Sequence, residues 1–222
     1  MTRGYFLTGN ECPLYSALAA EIEKRVEQFA CAAIINPAAV KTEEPDSSKR
    51  IPLSWNPGSP ISNRTLMLSA ENRLGQINDA LLVCAPPAIY KPAEALIPAE
   101  IETMINTHIK GWFYIVRELA IYLRARGSGT LTFVMPEPGP AGGESVSDLF
   151  GAPAAASFRA LAREMLLSAA VEPFQIMAFS NQEAGREKEF AAWMFKIHDE
   201  GSKKNSGKWH KYAKFPLFKK SE

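Results

Sequence analysis

His108 is the side chain in this sequence best suited to acid–base chemistry, because an imidazole group exchanges a proton near neutral pH. An unusual enzyme site would form if the fold brought it together with acidic and hydroxyl side chains from one later segment, namely Glu137, Glu144, Ser145 and Ser147. The competing interpretation is a hydrogen-bonded histidine of the core or of an interface, because His108 falls on the inner stripe of a helical pattern. We favour the second interpretation and keep the first as an alternative.

Residues 201–222 combine positive charge with aromatic rings. Seven lysines are interleaved there with aromatic side chains, namely Trp209, Tyr212, Phe215 and Phe218. Such a mixture suits the phosphates of a coenzyme A ester, a nucleic acid or an acidic protein surface, and Lys208, Lys211 and Lys214 are the candidate anion contacts. We expect instead a solvated tail whose aromatic rings pack against a neighbouring subunit, with anion binding as the second interpretation and nucleic acid as a distant third.

Composition and charge describe an ordinary globular protein. The chain has 222 residues, of which 46% are hydrophobic and 22% charged, and 25 basic side chains balance 24 acidic ones. This length fits one α/β domain, and the neutral balance gives no reason to expect a nucleic acid or a membrane as partner. We expect no transmembrane helix and no signal peptide, because the apolar runs are too short. Three cysteines without metal-type spacing favour a cytoplasmic, reducing setting.

Short apolar runs alternate with helical patterns along the chain, which is typical of a parallel sheet with crossover helices. Strands are predicted at Gly4–Thr8, Ala30–Ile35, Ala80–Ala85, Thr130–Met135 and Phe174–Phe179, with a weaker one at Ile51–Trp55. Helices are predicted at Pro13–Gln28, Ile97–Arg126 and Ala152–Ala170. Apolar residues at helical spacing near the end predict a further packed or lid-forming segment, at Phe190, Trp193, Met194 and Ile197. We expect one domain over residues 1–200, followed by the basic tail of residues 201–222.

Four stretches, in order, resemble motifs of the short-chain dehydrogenase/reductase family. They are Thr8-Gly9 after the first strand, Leu81-Leu82-Val83-Cys84-Ala85-Pro86, Ile105-Asn106-Thr107-His108-Ile109-Lys110-Gly111-Trp112-Phe113, and Gly127-Ser128-Gly129-Thr130-Leu131-Thr132-Phe133-Val134. Each match is weak alone, but their order and spacing make the resemblance specific over roughly residues 4 to 180. The resemblance implies a Rossmann-type doubly wound parallel sheet flanked by helices.

The chain departs from the family where the cofactor pyrophosphate would bind. The family pattern T-G-x-x-x-G-x-G lets the backbone approach the phosphates closely, but only Gly9 remains, and Pro13 and Tyr15 replace the other two glycines. Proline removes an amide donor, Glu11 adds negative charge, and we expect the Tyr15 ring to occupy the space of the pyrophosphate. The sequence therefore predicts that this chain binds no cofactor.

The family's catalytic groups are missing as well. Its general acid/base tyrosine and the lysine four residues later fall near Phe150 and Ala154, and its serine falls near Met135-Pro136. The asparagine of its central helix aligns with His108. A phenylalanine ring cannot exchange a proton, and an alanine cannot lower the pKa of a neighbour. We therefore expect no dehydrogenase activity from the chain alone.

Two of the predicted helices resemble the pair that forms the family's main dimer interface. Ile97–Arg126 and Ala152–Ala170 supply the candidate interface residues, namely Trp112, Phe113, Val116, Phe158, Leu161 and Met165. A lost site with a retained interface predicts a non-catalytic subunit, whose partner is an active paralogue that holds NAD in a heterodimer or heterotetramer.

In kind, this arrangement resembles two-subunit hydroxyacyl-coenzyme A dehydrogenases such as that of anaerobic toluene breakdown, in which one chain has lost its motifs. Two alternatives from other classes stay open. One is a small-molecule sensor that uses a remodelled cleft, and the other is the enzyme site around His108 described above.

Overall fold

One parallel sheet organises the part of the chain that the computed structural model describes, residues 3–34, 48–137, 148–201 and 203–213. Its strands are β1 (Tyr5–Asn10), β2 (Phe29–Ile34), β3 (Arg50–Pro52), β4 (Asp79–Val83), β5 (Thr130–Pro136), β6 (Gln175–Asn181) and β7 (Lys208–Tyr212). Their order is β3-β2-β1-β4-β5-β6-β7, and every pair is parallel. The chain thus winds outward in both directions from β1 and β4, and the doubly wound sheet predicted from the sequence is confirmed.

Helices cover both faces of this sheet. They are α1 (Pro13–Glu23), α2 (Pro60–Leu74), α3 (Pro98–Met104), α4 (Gly111–Arg126), α5 (Gly151–Ser168) and α6 (Glu187–Asp199), and a π-helical stretch, the π-segment (Ile105–Lys110), joins α3 to α4. α2, α4 and α5 pack on one face with buried side chains of alternate strand positions, whereas α1 and α6 pack on the other. The central strands are apolar because both faces are covered.

The predicted elements agree with the structure except at their ends. The predicted long helix is present from Pro98 to Arg126, with Pro98 in its first turn and Gly127 in the left-handed conformation (φ 69°) after its last. The weak strand is reduced to β3 at the sheet edge. The apolar spacing that includes Phe190 and Met194 belongs to α6, where both side chains are fully buried, so packing is its role and not a lid.

The predicted boundary at residue 200 does not divide the described chain, because Lys208–Tyr212 forms β7 and pairs with β6 along its whole length. Trp209 donates from Nε1 to Ser180 Oγ at 3.1 Å, and the Tyr212 ring lies 5.3 Å from that of Trp193. Trp209 and Tyr212 therefore pack on their own chain, whereas Phe215 and Phe218 lie outside the described residues. The lysines concealed the strand, although charged side chains are typical of an edge strand, where they discourage pairing with other chains.

α2 was missed because few of its side chains face the core. Only Asn63, Leu66, Met67 and Ala70 are buried, so the apolar period is weak. A local signal was present, however: Ser59 accepts from Ser62 N–H at 3.2 Å as the N-cap, and Pro60 occupies the first turn.

Gly9 is required by the packing of β1 against β4. A Cβ at this position would lie 2.1 Å from the carbonyl oxygen of Val83, and its φ of 152° is one that side-chain-bearing residues rarely adopt. We expect Gly9→Ala to lower the free energy of unfolding by about 3 kcal/mol, since the backbone of β4 has to move. Denaturant titration followed by circular dichroism measures this loss.

Gly75→Ala is the matched control for that substitution. Gly75 also has a positive φ (73°), but a Cβ there would meet no atom within 4 Å. Its expected cost is therefore conformational alone, about 1 kcal/mol. Equal losses in the two variants would show that the contact with Val83 does not explain Gly9.

Candidate functional site

A cavity of about 850 Å³ opens at the carboxyl ends of β1 and β4, where the strand order reverses. In open parallel sheets this crevice is the usual ligand site. One wall is formed by the end of β2 and the loop after β3, and the facing wall by residues 85–89 and Phe150. α3 and the π-segment form the third side. The sheet topology, and no single motif, thus places the candidate site.

A chain of hydrogen bonds holds His108 in this cavity. Ala85 N–H donates to Asn10 Oδ1 at 2.9 Å, which fixes the orientation of the Asn10 amide. Asn10 Nδ2 then lies 3.3 Å from His108 Nδ1, so that ring nitrogen accepts a hydrogen bond. Burial lowers the pKa of His108 to about 4, because the charged imidazolium is poorly solvated there. His108 is therefore a neutral imidazole near pH 7, with its proton on Nε2.

The π-segment turns His108 toward the cavity, and two glycines allow it to pack closely. A Cβ on Gly111 would lie 2.5 Å from Pro57 Cβ, and one on Gly58 would lie 3.1 Å from Asn106 Cβ. The loop after β3 can therefore press directly against the π-segment. π-helical turns are rare and often occur at functional sites. The apolar period of the sequence is continuous here and does not indicate this interruption.

The turn from β1 into α1 uses its amide groups internally. Cys12 is the N-cap of α1, and its Sγ accepts from Tyr15 N–H at 3.4 Å and also contacts Leu14 N–H. Pro13 has no N–H group to offer. Burial raises the pKa of the Cys12 thiol, so the cap is neutral. This turn fits a pyrophosphate poorly, because few N–H groups remain for its oxygens and the Glu11 carboxylate lines the same cavity.

Tyr15 does not lie where we expected. Its ring is buried under α1 among core side chains, and its hydroxyl donates to the Leu7 carbonyl at 3.4 Å. The prediction that the ring fills the pyrophosphate space was therefore wrong. A helical residue points its side chain back toward the preceding turn, and in α1 that direction leads to the sheet.

Apolar groups occupy the two positions that the sequence resemblance aligned with a catalytic tyrosine and lysine. Phe150 lines the cavity, and Ala154 is buried one turn into α5. Asp148 fixes this start of α5, because its Oδ1 accepts from the N–H groups of Ile89, Phe150 and Gly151 at 3.0, 3.2 and 2.8 Å. Neither Phe150 nor Ala154 can exchange a proton with a ligand.

The residues proposed as partners of His108 are not assembled around it in the described chain. Glu137 is absent from the cavity wall and lies 3.1 Å from Arg159 in an ion pair. Glu144, Ser145 and Ser147 lie outside the described residues.

Part of the candidate interface set was wrong. Trp112, Val116 and Phe158 are 1%, 4% and 1% exposed and belong to the core of their own chain. Leu161 and Met165 are half-buried against that core. The stripe that faces the sheet carries the largest apolar side chains, so sequence periodicity alone assigned core residues to a surface.

Other large apolar side chains are exposed on α4, at the end of α5 and in the turn after it. Phe113 and Ile121 are 50% and 49% exposed, and Leu167 and Val171 are 77% and 84% exposed. Ala156 and Ala160 are also exposed on α5. We call Phe113, Ile121, Leu167 and Val171 the α4–α5 face. Only Phe113 of this face was predicted.

The predicted anion contacts lie far from the cavity in the sheet order. Lys208 and Lys211 are exposed on β7, and four strands separate β7 from β2 at the other wall of the cavity. Lys214 lies outside the described residues. Within the described ranges, no group of three or more His, Cys, Asp or Glu side chains is placed to hold a metal ion, and no helix combines the length and apolarity needed to cross a bilayer.

Comparison with solved structures shows the fold of the short-chain dehydrogenases. The chain is similar to such a dehydrogenase from Mycobacterium smegmatis (15% identity, TM-score 0.71, covering 97% of this chain and 94% of that one). It is similar to one from Mycobacterium marinum (16%, 0.74, 94% and 92%) and to a Serratia marcescens variant (14%, 0.71, 96% and 96%). No protein-family model matches the sequence, and no curated protein matches it. At these identities the likeness establishes the fold, and function has to be argued from the site.

The buried neutral state of His108 predicts a pH dependence of stability. Below its ordinary pKa of 6.5 the unfolded chain binds a proton, whereas the folded chain does so only near pH 4. The free energy of unfolding therefore falls as the pH drops through this window, by up to roughly 3 kcal/mol. We expect His108→Gln to remove this component.

Denaturant titrations of both proteins at pH 7.5 and pH 4 measure the difference. Other groups titrate equally in the two proteins. The informative quantity is therefore the difference in free energy of unfolding between wild type and variant, compared between the two pH values. An unchanged difference across this range would mean that the folded state protonates His108 as easily as the unfolded state.

Proposed function

We propose that this chain is a non-catalytic member of the short-chain dehydrogenase/reductase family, which acts as a subunit beside an active paralogue. The observation that carries the proposal is the chemistry of the cavity. Phe150 and Ala154 stand at the positions that need an acid/base pair, and Cys12 uses the amide groups of α1 that a dinucleotide needs. A scaffold that keeps its sheet and helices while losing these groups can still assemble.

NAD, in this proposal, is held by the partner and not by this chain. The family's cofactor glycines provide close backbone approach, whereas Gly9 serves the contact with Val83 and Tyr15 serves the core. A hydroxyacyl-coenzyme A substrate of the partner belongs to the same proposal through the resemblance to two-subunit dehydrogenases. Lys208 and Lys211 are exposed on β7. They would contact such an anionic ester only if the partner held it beside this strand.

The α4–α5 face supports the assembly part of the proposal. Phe113, Ile121 and Leu167 lie on the two helices that resemble the family's dimer helices, and exposed apolar side chains of this size favour an interaction surface. Ala156 and Ala160 let a second helix approach α5 closely. The occupant that we propose is the corresponding face of the paralogue.

Ile121→Asp and Leu167→Asp are expected to weaken the assembly by on the order of 100-fold, because each buries an unpaired carboxylate in the interface. Native mass spectrometry of the protein purified from its own cells, at graded dilution, measures the loss. Ala192→Asp adds the same charge at an exposed position of α6 on the opposite face and should leave the assembly intact.

The composition of the assembly tests the proposal as a whole. We expect a second chain of similar size that binds NAD, while this chain alone shows no saturable change of NADH fluorescence. A solitary chain or a pure homo-oligomer would contradict the subunit role, and NADH binding by the isolated chain would contradict the loss of the cofactor site.

A further inference from the structure

We propose that the cavity at the ends of β1 and β4 binds a neutral, flat, largely apolar molecule that carries a hydrogen-bond acceptor such as a ketone carbonyl. His108 Nε2–H is the donor that recognises this acceptor. The inference goes beyond the subunit role, since it concerns a ligand of this chain itself and holds whether or not a partner is present.

The charge of the cavity wall excludes the ligands that a dinucleotide cleft binds. Among the described residues that line it there is no lysine or arginine, and two carboxylates are present, those of Glu11 and Glu100. Lys91 donates to Glu100, which lowers the pKa of Glu100 and keeps it ionised. Since Lys91 already neutralises Glu100, the Glu11 carboxylate is the like charge that a phosphate or carboxylate ligand would meet, and the described lining residues offer it no lysine or arginine.

The rest of the wall is largely apolar, with Thr103 and Thr107 as its hydroxyl-bearing residues. Trp55 lines the cavity, but its indole N–H donates to Asn63 Oδ1 at 3.0 Å, so the ring offers a ligand carbon surface only. Its ring also lies edge-on to Trp112, with centroids 6.0 Å apart, which fixes its position. Phe150 and the prolines at 57, 86 and 87 add stiff apolar surface. A volume of about 850 Å³ is within the range of small-molecule sites and has ample room for a ligand of two or three fused rings.

His108 supplies one polar contact of defined direction. The Ala85–Asn10–His108 chain fixes Nδ1 as an acceptor, which leaves Nε2 as the protonated nitrogen. In the described part of the chain, His108 Nε2 has no hydrogen-bond partner. The atom is also not fully buried. Because His108 lines the cavity, Nε2–H is open to a ligand there. An N–H donor of fixed direction in a largely apolar pocket selects a neutral acceptor, because an unmatched polar group of the ligand would be costly to bury.

Prodan is the probe for the test, because it is an uncharged naphthalene ketone whose emission reports both polarity and hydrogen bonding. The full-length protein should bind it saturably with a blue shift. The analogue in which a propyl group replaces the propionyl group lacks the carbonyl and should bind about tenfold more weakly. The anionic naphthalene sulfonate ANS, a probe of similar size, should bind much more weakly than prodan.

Variants separate the donor from the general apolar surface. His108→Phe should weaken prodan binding about tenfold and leave the propyl analogue unchanged, because only the carbonyl uses Nε2–H. His108→Gln keeps an N–H group near the Nε2 position and should bind prodan within about threefold of the wild type. His210→Gln changes a histidine on β7, outside the cavity, and should have no effect. Circular dichroism and thermal unfolding check that each variant is folded.

Three results would overturn the inference. One is the absence of saturable prodan binding up to its solubility limit. Another is equal prodan affinity in the wild type and in a folded His108→Phe variant, which would leave apolar adsorption alone. The third is tighter binding of ANS or NADH than of prodan. None of these results bears on the partner, which the native mass measurement tests separately.

Discussion

The amide side chain of Asn10 connects the three parts on which the cleft depends. It stands at the last residue of β1, accepts from the backbone after β4 at Ala85, and reaches His108 in the π-segment. β1 and β4 are the strands from which the sheet winds in opposite directions, so this side chain sits at the reversal point of the whole fold. Its two bonds use both ends of one rigid planar group. The position of the π-segment over the sheet and the protonation pattern of the histidine are therefore set by the same contact.

At this reversal point the fold creates a crevice, and the side chains at its rim decide what the crevice binds. The parallel sheet creates a crevice whatever the sequence at its rim, because loops diverge to opposite faces there. What the crevice binds is then decided by a few groups, and in this chain they are a neutral imidazole, an amide already bonded, and carboxylates in place of cations. A likeness of fold at 10–16% identity therefore transfers no chemistry. The same reasoning explains how the chain can keep its helices and sheet and have a different ligand class.

The sequence predicted the parts of the fold that repeat a simple pattern. Strands buried on both faces were found because their apolar runs are continuous. Contacts between residues far apart in the chain could not be predicted from the sequence. No local signal says that Asn10 meets His108 across 98 residues, or that Tyr15 turns into the core. Amphipathic period likewise cannot distinguish a sheet-facing stripe from a subunit interface, which is why Trp112 was assigned to the wrong surface.

The burial of Tyr15 also affects how readily the β1–α1 turn could change back. Restoring glycine at this position would remove a ring that is 5% exposed, together with its bond to Leu7, and leave a cavity beneath α1. It would also place glycine in the first turns of a helix, so the combined cost is about 4 kcal/mol or more. A chain of ordinary stability has few such losses to spare. A glycine-rich form of this turn and the present form are thus separated by a stability barrier that no single substitution crosses cheaply.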